Sequence, residues 1–381
     1  MQTTDHRLHC VQRSGDGQLS NTALNTTLNT GRNCVEPTEA GKSAPMRTFE
    51  SWLYPTPRGL YCEPGRFHID PSQPVERAIV THGHSDHARP GNDMVLATPE
   101  TLAVMRQRLG TTAAGREQQA LALGETLTIG ETRVTLYPAG HVLGSAQVLI
   151  EYKGMRVVIT GDYKRRRDPT CAAFELVRCD LLVTEATFGL PVFRHEPDDR
   201  EIGRLLASVA AFPERTHLVG AYGLGKAQRL IALLREAGWD RTIYLHGAVA
   251  GMCDLYGALG VDLGALEPVA ETDKAALAGE IVVAPPSALA DRWSRRLADP
   301  VTAFASGWMR VKARARQRGV ELPLVISDHV DWPELMATIS ECGAEEIWVT
   351  HGREDAVVRA AMLMGRRARA LALLGREDEA E

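Results

Sequence analysis

Along most of the chain, short apolar and β-branched runs alternate with polar stretches, and several runs end in residues of one chemical kind. Runs of about four to eight such residues, bounded by turn formers, predict buried strands. "RAIVTHGH" ends in His82 and His84, "RVTLYPAGH" in His141 and "RVVITGD" in Asp162. "LLVTEATFG" carries Glu185, "LPLVISDH" carries Asp328 and His329, and "EIWVTHG" carries His351. Open α/β sheets gather ligands outside their strand ends, so these side chains converge if the ends share one edge.

From 191 to 311 the texture changes. "DDREIGRLLASVAAF", with an acidic first turn, and "GKAQRLIALLREAG", ending in glycine, predict helices, while "RTIYLHG" and "GEIVVAPP" predict strands. This alternation predicts a smaller α/β unit inserted into a first domain, which occupies 46–190 and resumes over 312–381. Residues 1–45 are rich in Thr, Asn, Gly and Ser without either period, and read as a disordered leader or an over-extended start, with Met46 as the alternative beginning. "GRRARALALLGRE" reads as a terminal helix before a solvated "DEAE" tail.

The charge balance, 43 Lys and Arg against 48 Asp and Glu for a net −5, excludes a uniformly basic coat, so any contact with a polyanion is local. Seven cysteines, odd in number and with no C-x-x-C pair, argue for reduced thiols and a cytoplasmic protein. No apolar run approaches the ~20 residues that span a bilayer, and no secretory signal opens the chain, so no membrane partner is expected.

His82, His84, Asp86 and His87 spell H-x-H-x-D-H just past a predicted strand. In an extended segment, positions two apart point the same way, so His82 and His84 can reach one cation while the turn re-aims Asp86 and His87 toward a second. Imidazoles with carboxylates suit zinc, with manganese as the second candidate. A lone histidine is usually structural; four ligand-type residues at this spacing, joined by His141, Asp162 and His351 at other strand ends, reverse that expectation.

H-x-H-x-D-H, then a strand-end histidine, then "TGD" resembles the metallo-β-lactamase fold, an αββα sandwich with two metals on one edge. "TEATFG", "SDHVDW" and "VTHG" resemble motifs A, B and C of the β-CASP nucleases, and "YGLGKAQRL" resembles the segment that opens a helix in their inserted domain. "GLYCEPGRFHIDP" and "SGWMRVKARARQRG" are most similar to bacterial ligase-associated DNA exonucleases. The resemblance implies that His82, His84 and His141 hold one metal, that Asp86, His87 and His351 hold the other, and that Asp162 bridges both. Asp70 in "FHIDP" would prop the metal loop without binding metal. It further implies two-metal hydrolysis of DNA phosphodiester bonds by a bridged hydroxide, and functional partners in an ATP-dependent DNA ligase and a helicase.

For phosphodiester cleavage, His329 is the candidate general acid and Glu185 the carboxylate that fixes its tautomer, with Asp86 and Asp162 counted among the catalytic groups. The bland alternative for Glu185 is a salt-bridged strand end. Lys164 and Arg165, in "YKRRRDP" directly after Asp162, together with Lys226 and Arg310, are the candidate phosphate contacts. "GAYGLGKA" has P-loop spacing, but Ala227 cannot take the place of the hydroxyl that holds magnesium. His68, His195, His217 and His246 lack partners at ligand spacing and read as structural. The rival functions are an RNA-processing β-CASP ribonuclease, since nothing in the ligand set senses a 2′-hydroxyl, a small-molecule metallohydrolase, and a non-catalytic nucleic-acid binder.

Overall fold

The computed structural model describes residues 48–371 and residue 373. The reading of residues 1–45 lies outside them.

The first sheet takes β1 (Leu53–Thr56), β2 (Gly59–Cys62), β3 (Phe67–Ile69), β4 (Arg77–Ile79), β5 (Met94–Ala97) and, after helix α1 (Pro99–Leu109), β6 (Glu117–Ala120), side by side in chain order. The second sheet starts with β7 (Thr126–Ile129), β8 (Thr132–Pro138), β9 (Ala146–Tyr152), β10 (Met155–Ile159) and β11 (Leu181–Ala186). Its hairpins turn at glycines such as Gly130 and Gly154. Alternating inward side chains from both sheets, among them Phe67, Ile79, Val134, Val148 and Val157, form one apolar layer between them.

The chain then leaves the second sheet. Helix α2 (Asp198–Ala211), β12 (His217–Gly220), α3 (Lys226–Glu236), β13 (Ile243–Leu245), α4 (Gly247–Ala258), β14 (Leu266–Pro268), β15 (Ile281–Ala284), β16 (Val301–Ala305), α5 (Lys312–Arg318) and β17 (Leu322–Leu324) build a third, all-parallel sheet in the order β14-β13-β15-β12-β16-β17. Its core, including Leu230, Ile243, Val283 and Leu324, is separate from that of the sandwich. The third sheet therefore continues past residue 311. Leu322 and Leu324 flank a proline in too short a run to reveal by pattern which sheet they join; pairing of Ala303 to Leu322 assigns them.

After α6 (Trp332–Glu341), β18 (Glu346–Gly352) returns to the second sheet beside β11, and α7 (Glu354–Leu363) leads to β19 (Arg367–Ala370) at its edge. Segment 367–370 is thus a strand, not part of a terminal helix. Arg-Ala-Arg-Ala alternates with a period of two, and Arg369 lies over the Trp348 ring at 4.1 Å. Helix α1 covers the outer face of the first sheet, and α6 and α7 cover that of the second, which completes an αββα sandwich. No described helix is long and apolar enough to cross a membrane.

In the second sheet, β8 and β10 are both antiparallel to β9, and β11 and β18 are parallel to β10, so all four point the same way. Their ends share one edge. There Ala146 N donates to Thr81 O at 2.8 Å and joins the end of the first sheet to the start of β9.

Candidate metal centre

The turn after β4 is braced before it can bind anything. Asp70, at the end of β3 with φ 43°, uses a left-handed conformation that aspartate tolerates. Its carboxylate accepts from Thr81 N at 2.8 Å, Thr81 Oγ1 at 2.7 Å and His87 Nδ1 at 2.7 Å. Gly161, at φ 56°, presses the "TGD" turn against the same threonine: a Cβ there would lie 2.7 Å from Thr81 Oγ1. Asp162 follows directly.

Two ligand groups meet at Asp162. One joins His82, His84, His141 and Asp162; the other joins Asp86, His87 and Asp162, with the donor atoms of each group within 4.8 Å of one another. Asp162 Oδ2 lies 3.6 Å from His82 Nε2, 3.4 Å from His87 Nε2 and 3.9 Å from His141 Nε2. Asp86 Oδ2 is 3.2 Å from His87 Nε2. A third group, Asp162 with Glu185 and His329, adjoins them.

The donor chemistry fits cations. His141 Nδ1 donates to the Asp328 carbonyl at 2.8 Å, and His84 Nε2 donates to the Leu224 carbonyl at 3.3 Å. A carbonyl only accepts, so both inward nitrogens carry lone pairs, and these stand 3.0 Å apart. His82 Nε2 approaches the same His84 nitrogen at 3.1 Å. Facing lone pairs repel unless a cation lies among them. Four ligands at zinc–nitrogen distances around a tetrahedron are separated by roughly 3.3 Å, close to the spacings found. Burial pushes His82 well below its ordinary value and His141 down to about 3, with His329 and His84 adding to the latter shift. Burial would raise the Asp162 carboxyl, but His87, His329 and His82 hold it well below the usual carboxylate range. Neutral imidazoles around an anionic carboxylate are the protonation states that metal binding requires.

His351 lines the same cleft but stands outside both ligand groups, its ring centroid 6.3 Å from that of His87. It sits at φ 63°, unusual for histidine, and its Nδ1 is buried without a hydrogen-bond partner. His329 Nδ1 donates to Glu185 Oε2 at 2.9 Å, and Glu185 Oε1 also accepts from Tyr163 N at 2.8 Å. The His329 ring lies 4.7 Å from that of His141 and lines the cleft.

A model of the metallo-beta-lactamase superfamily matches residues 70–208, which run from Asp70 through every ligand except His351. Residues 70–208 therefore form a metallo-β-lactamase domain. It is 29% identical over 309 residues to a probable DNA ligase of Opitutus terrae, covering 79% of this chain and 29% of that protein. It is 29% identical over 272 residues to the endoribonuclease YSH1 of Mycosarcoma maydis (62% of this chain, 30% of that one). A cleavage and polyadenylation specificity factor subunit 3-I from Arabidopsis thaliana is 28% identical over 268 residues (62% and 38%). The chain spans less than half the length of each of these relatives. Among solved structures, a protein of unknown function from Enterococcus faecalis V583 shares the fold, with TM-score 0.52 and 15% identity over 79% of this chain and 80% of that one. Together with the domain match, these relatives support a likeness to the β-CASP nuclease group.

Four basic residues expected at the site lie elsewhere. Lys164 is buried, with Nζ 2.6 Å from Asp168, and Lys226 is buried 3.3 Å from Asp328. Arg165 reaches Glu341 on α6 at 2.6 Å. Arg310 is exposed at the end of a short turn and does not line the cleft. A charge run reads the same whether its members face solvent or an interior acid; here the buried acids Asp168 and Asp328 took the two lysines, while Arg165 pairs with a surface acid and Arg310 faces solvent.

Asp168 and Asp328 belong to a network centred on Arg229. From α3 it reaches Asp328 at 2.9 Å, Asp168 at 3.5 Å, and Asp198 on α2. The network ties the inserted unit to the loop whose carbonyl orients His141. At φ 85°, Gly225 lets the start of α3 close on the core: a Cβ would lie 2.3 Å from Val142 Cγ1. The other histidines are structural: His217 bonds Ser208 at 2.9 Å, and His246 caps α4. His195 packs on Phe188, and His68 lies 3.3 Å from Thr56 Oγ1.

Proposed function

We propose that this protein is a metal-dependent nuclease that hydrolyses DNA phosphodiester bonds as an exonuclease in repair. The observation that carries the reading is the arrangement at Asp162, shared by two ligand groups and adjoined by the Glu185–His329 pair in one cleft. His82, His84, His141 and Asp162 would hold one ion, and Asp86, His87 and Asp162 the other, with His351 moving in to complete it. Bound there, two divalent ions supply Lewis acidity at the phosphoryl oxygen and activate the attacking water. The chain's own groups do the rest. His329 acts as an imidazolium balanced by the Glu185 carboxylate that holds its Nδ1 proton; it presents Nε2–H to the leaving oxygen, gives it that proton and is left as the neutral imidazole. Asp70 keeps His87 in the tautomer whose Nε2 faces the metals.

DNA is preferred on the likeness of the motifs to ligase-associated exonucleases and on the relative named as a probable DNA ligase, which also supports functional association with such a ligase; association with a helicase rests on the motif likeness alone. RNA is the second reading, favoured by the relatives named as endoribonucleases. End-labelled single-stranded DNA, duplex DNA and RNA, incubated with Zn²⁺ or Mn²⁺ after chelation, separate these readings. Progressive shortening of DNA supports the proposal; internal cuts in RNA alone replace it with the second reading. Hydrolysis of a lactam or thioester with every nucleic acid intact would remove both.

A further inference from the structure

The cleft between the sandwich and the inserted unit encloses about 480 Å³, a volume suited to one small ligand or a short piece of a polymer. Its acids are Asp86, Asp162 and Asp328. Asp328 is already countered by Lys226 and Arg229. Among the described lining residues there is one lysine or arginine, Arg108.

Arg108 comes from the last turn of α1, and its Nη1 donates to the carbonyl of Gly83, the residue between His82 and His84. That bond holds the guanidinium at the lip of the metal turn. A guanidinium presents five donors in a planar fork that matches phosphate, and this one lines the cleft beside the metal turn. On the side of the inserted unit, Tyr222 follows β12 and lines the cavity with Gly223 and Leu224. Its ring is half-buried, with Lys226 Nζ 5.7 Å from its centroid. An aromatic ring and a guanidinium that line the same cavity match the two parts of a nucleotide.

We propose that Arg108 and Tyr222 form the subsite for the nucleotide beside the scissile bond: Arg108 binds its phosphate and Tyr222 stacks on its base. The inference rests on the nuclease reading for its substrate class, but its test does not rest on turnover.

The test measures binding of a fluorescein-labelled single-stranded phosphorothioate oligonucleotide to the zinc-loaded full chain by anisotropy, across a salt series. For Arg108→Gln we expect Kd to rise on the order of tenfold. The log–log salt slope should fall by about 0.7, the loss of one phosphate contact to a single strand. Zinc per chain should stay at the wild-type value. Tyr222→Ala should raise Kd on the order of tenfold with the slope unchanged. Arg108→Lys, which keeps the charge but not the fork, should restore the slope and only part of the affinity; it decides the matter if the glutamine variant misfolds. Unchanged Kd and slope in the arginine variants would overturn the proposal, as would loss of zinc in step with affinity, which would make Arg108 only a brace for the Gly83 turn. Wild-type binding without cleavage of any nucleic acid would remove the nuclease reading and leave the subsite standing. Cleavage by wild type with variants that bind as it does would do the reverse.

Discussion

His329 Nδ1 lies 2.9 Å from Glu185 Oε2, although 144 residues and the whole third sheet separate them in sequence. The bond turns two strand-end residues into an oriented proton donor. His329→Ala should lower kcat on labelled DNA by about 10²–10⁴-fold with bound metal retained, and should remove the alkaline limb of the pH–rate profile. Glu185→Gln should cost less and displace that limb. A flat response in both variants would take the proton-donor role away from His329.

Asp162 serves both ligand groups, whereas His141 serves one. Elemental analysis after zinc loading should therefore find two ions per wild-type chain, one in His141→Ala and fewer than one in Asp162→Ala, with circular dichroism unchanged. Asp70→Asn, which leaves every ligand in place, should weaken the ion at His87 by about 10–100-fold, because the bond from Nδ1 no longer ends on a charge. Equal metal content in all four proteins would contradict the shared site.

Arg229 is 1% exposed and faces three carboxylates. Arg229→Met should lower unfolding stability by about 3–5 kcal/mol in urea, since it strands buried charge without removing it. A loss below about 1 kcal/mol would mean that water or rearrangement already screens the network.

Acid should act on the Lys164–Asp168 pair in a definite direction. Burial by itself would raise the Asp168 carboxyl, but Lys164 and Arg229 hold it below its ordinary value. A depressed carboxyl contributes stability above its unfolded value, near 4, and that contribution is lost as pH falls through the lower folded value. Lys164→Met should therefore be less stable than wild type at pH 7. The gap in urea midpoints should narrow below about pH 4 as Asp168 takes up its proton. A gap that stays constant to low pH would show that packing, not charge, is what Lys164 supplies.

The positions of the candidate ligands were legible because each sits just beyond a strand whose apolar pattern is itself local: "AIVTHGH" announces both the strand and the histidines. The inserted unit was legible for the same reason, through helices such as α2 and α3 that carry their own signals at either end. Lys164, Arg165 and Lys226 were misread because a basic side chain in sequence does not reveal its acid. Asp168 is four residues from Lys164, but Glu341 and Asp328 are far from their partners along the chain. Arg108 gave no signal at all. "PETLAVMRQRLG" reads as an ordinary surface helix, and only the packing of α1 beside the β4 turn brings its last arginine to the cleft.

Sequence alone determined which side chains stand at strand ends, since strand periodicity and turn chemistry act over a few residues. Tertiary structure decided that β8, β10, β11 and β18 run the same way, so that four separate ends become one edge, and which cations face an interior acid or the cleft. Those outcomes depend on strand pairing and charge burial between segments up to 187 residues apart, as in the His141–Asp328 bond. Contacts at that range follow from how the whole chain packs, and no local pattern encodes them.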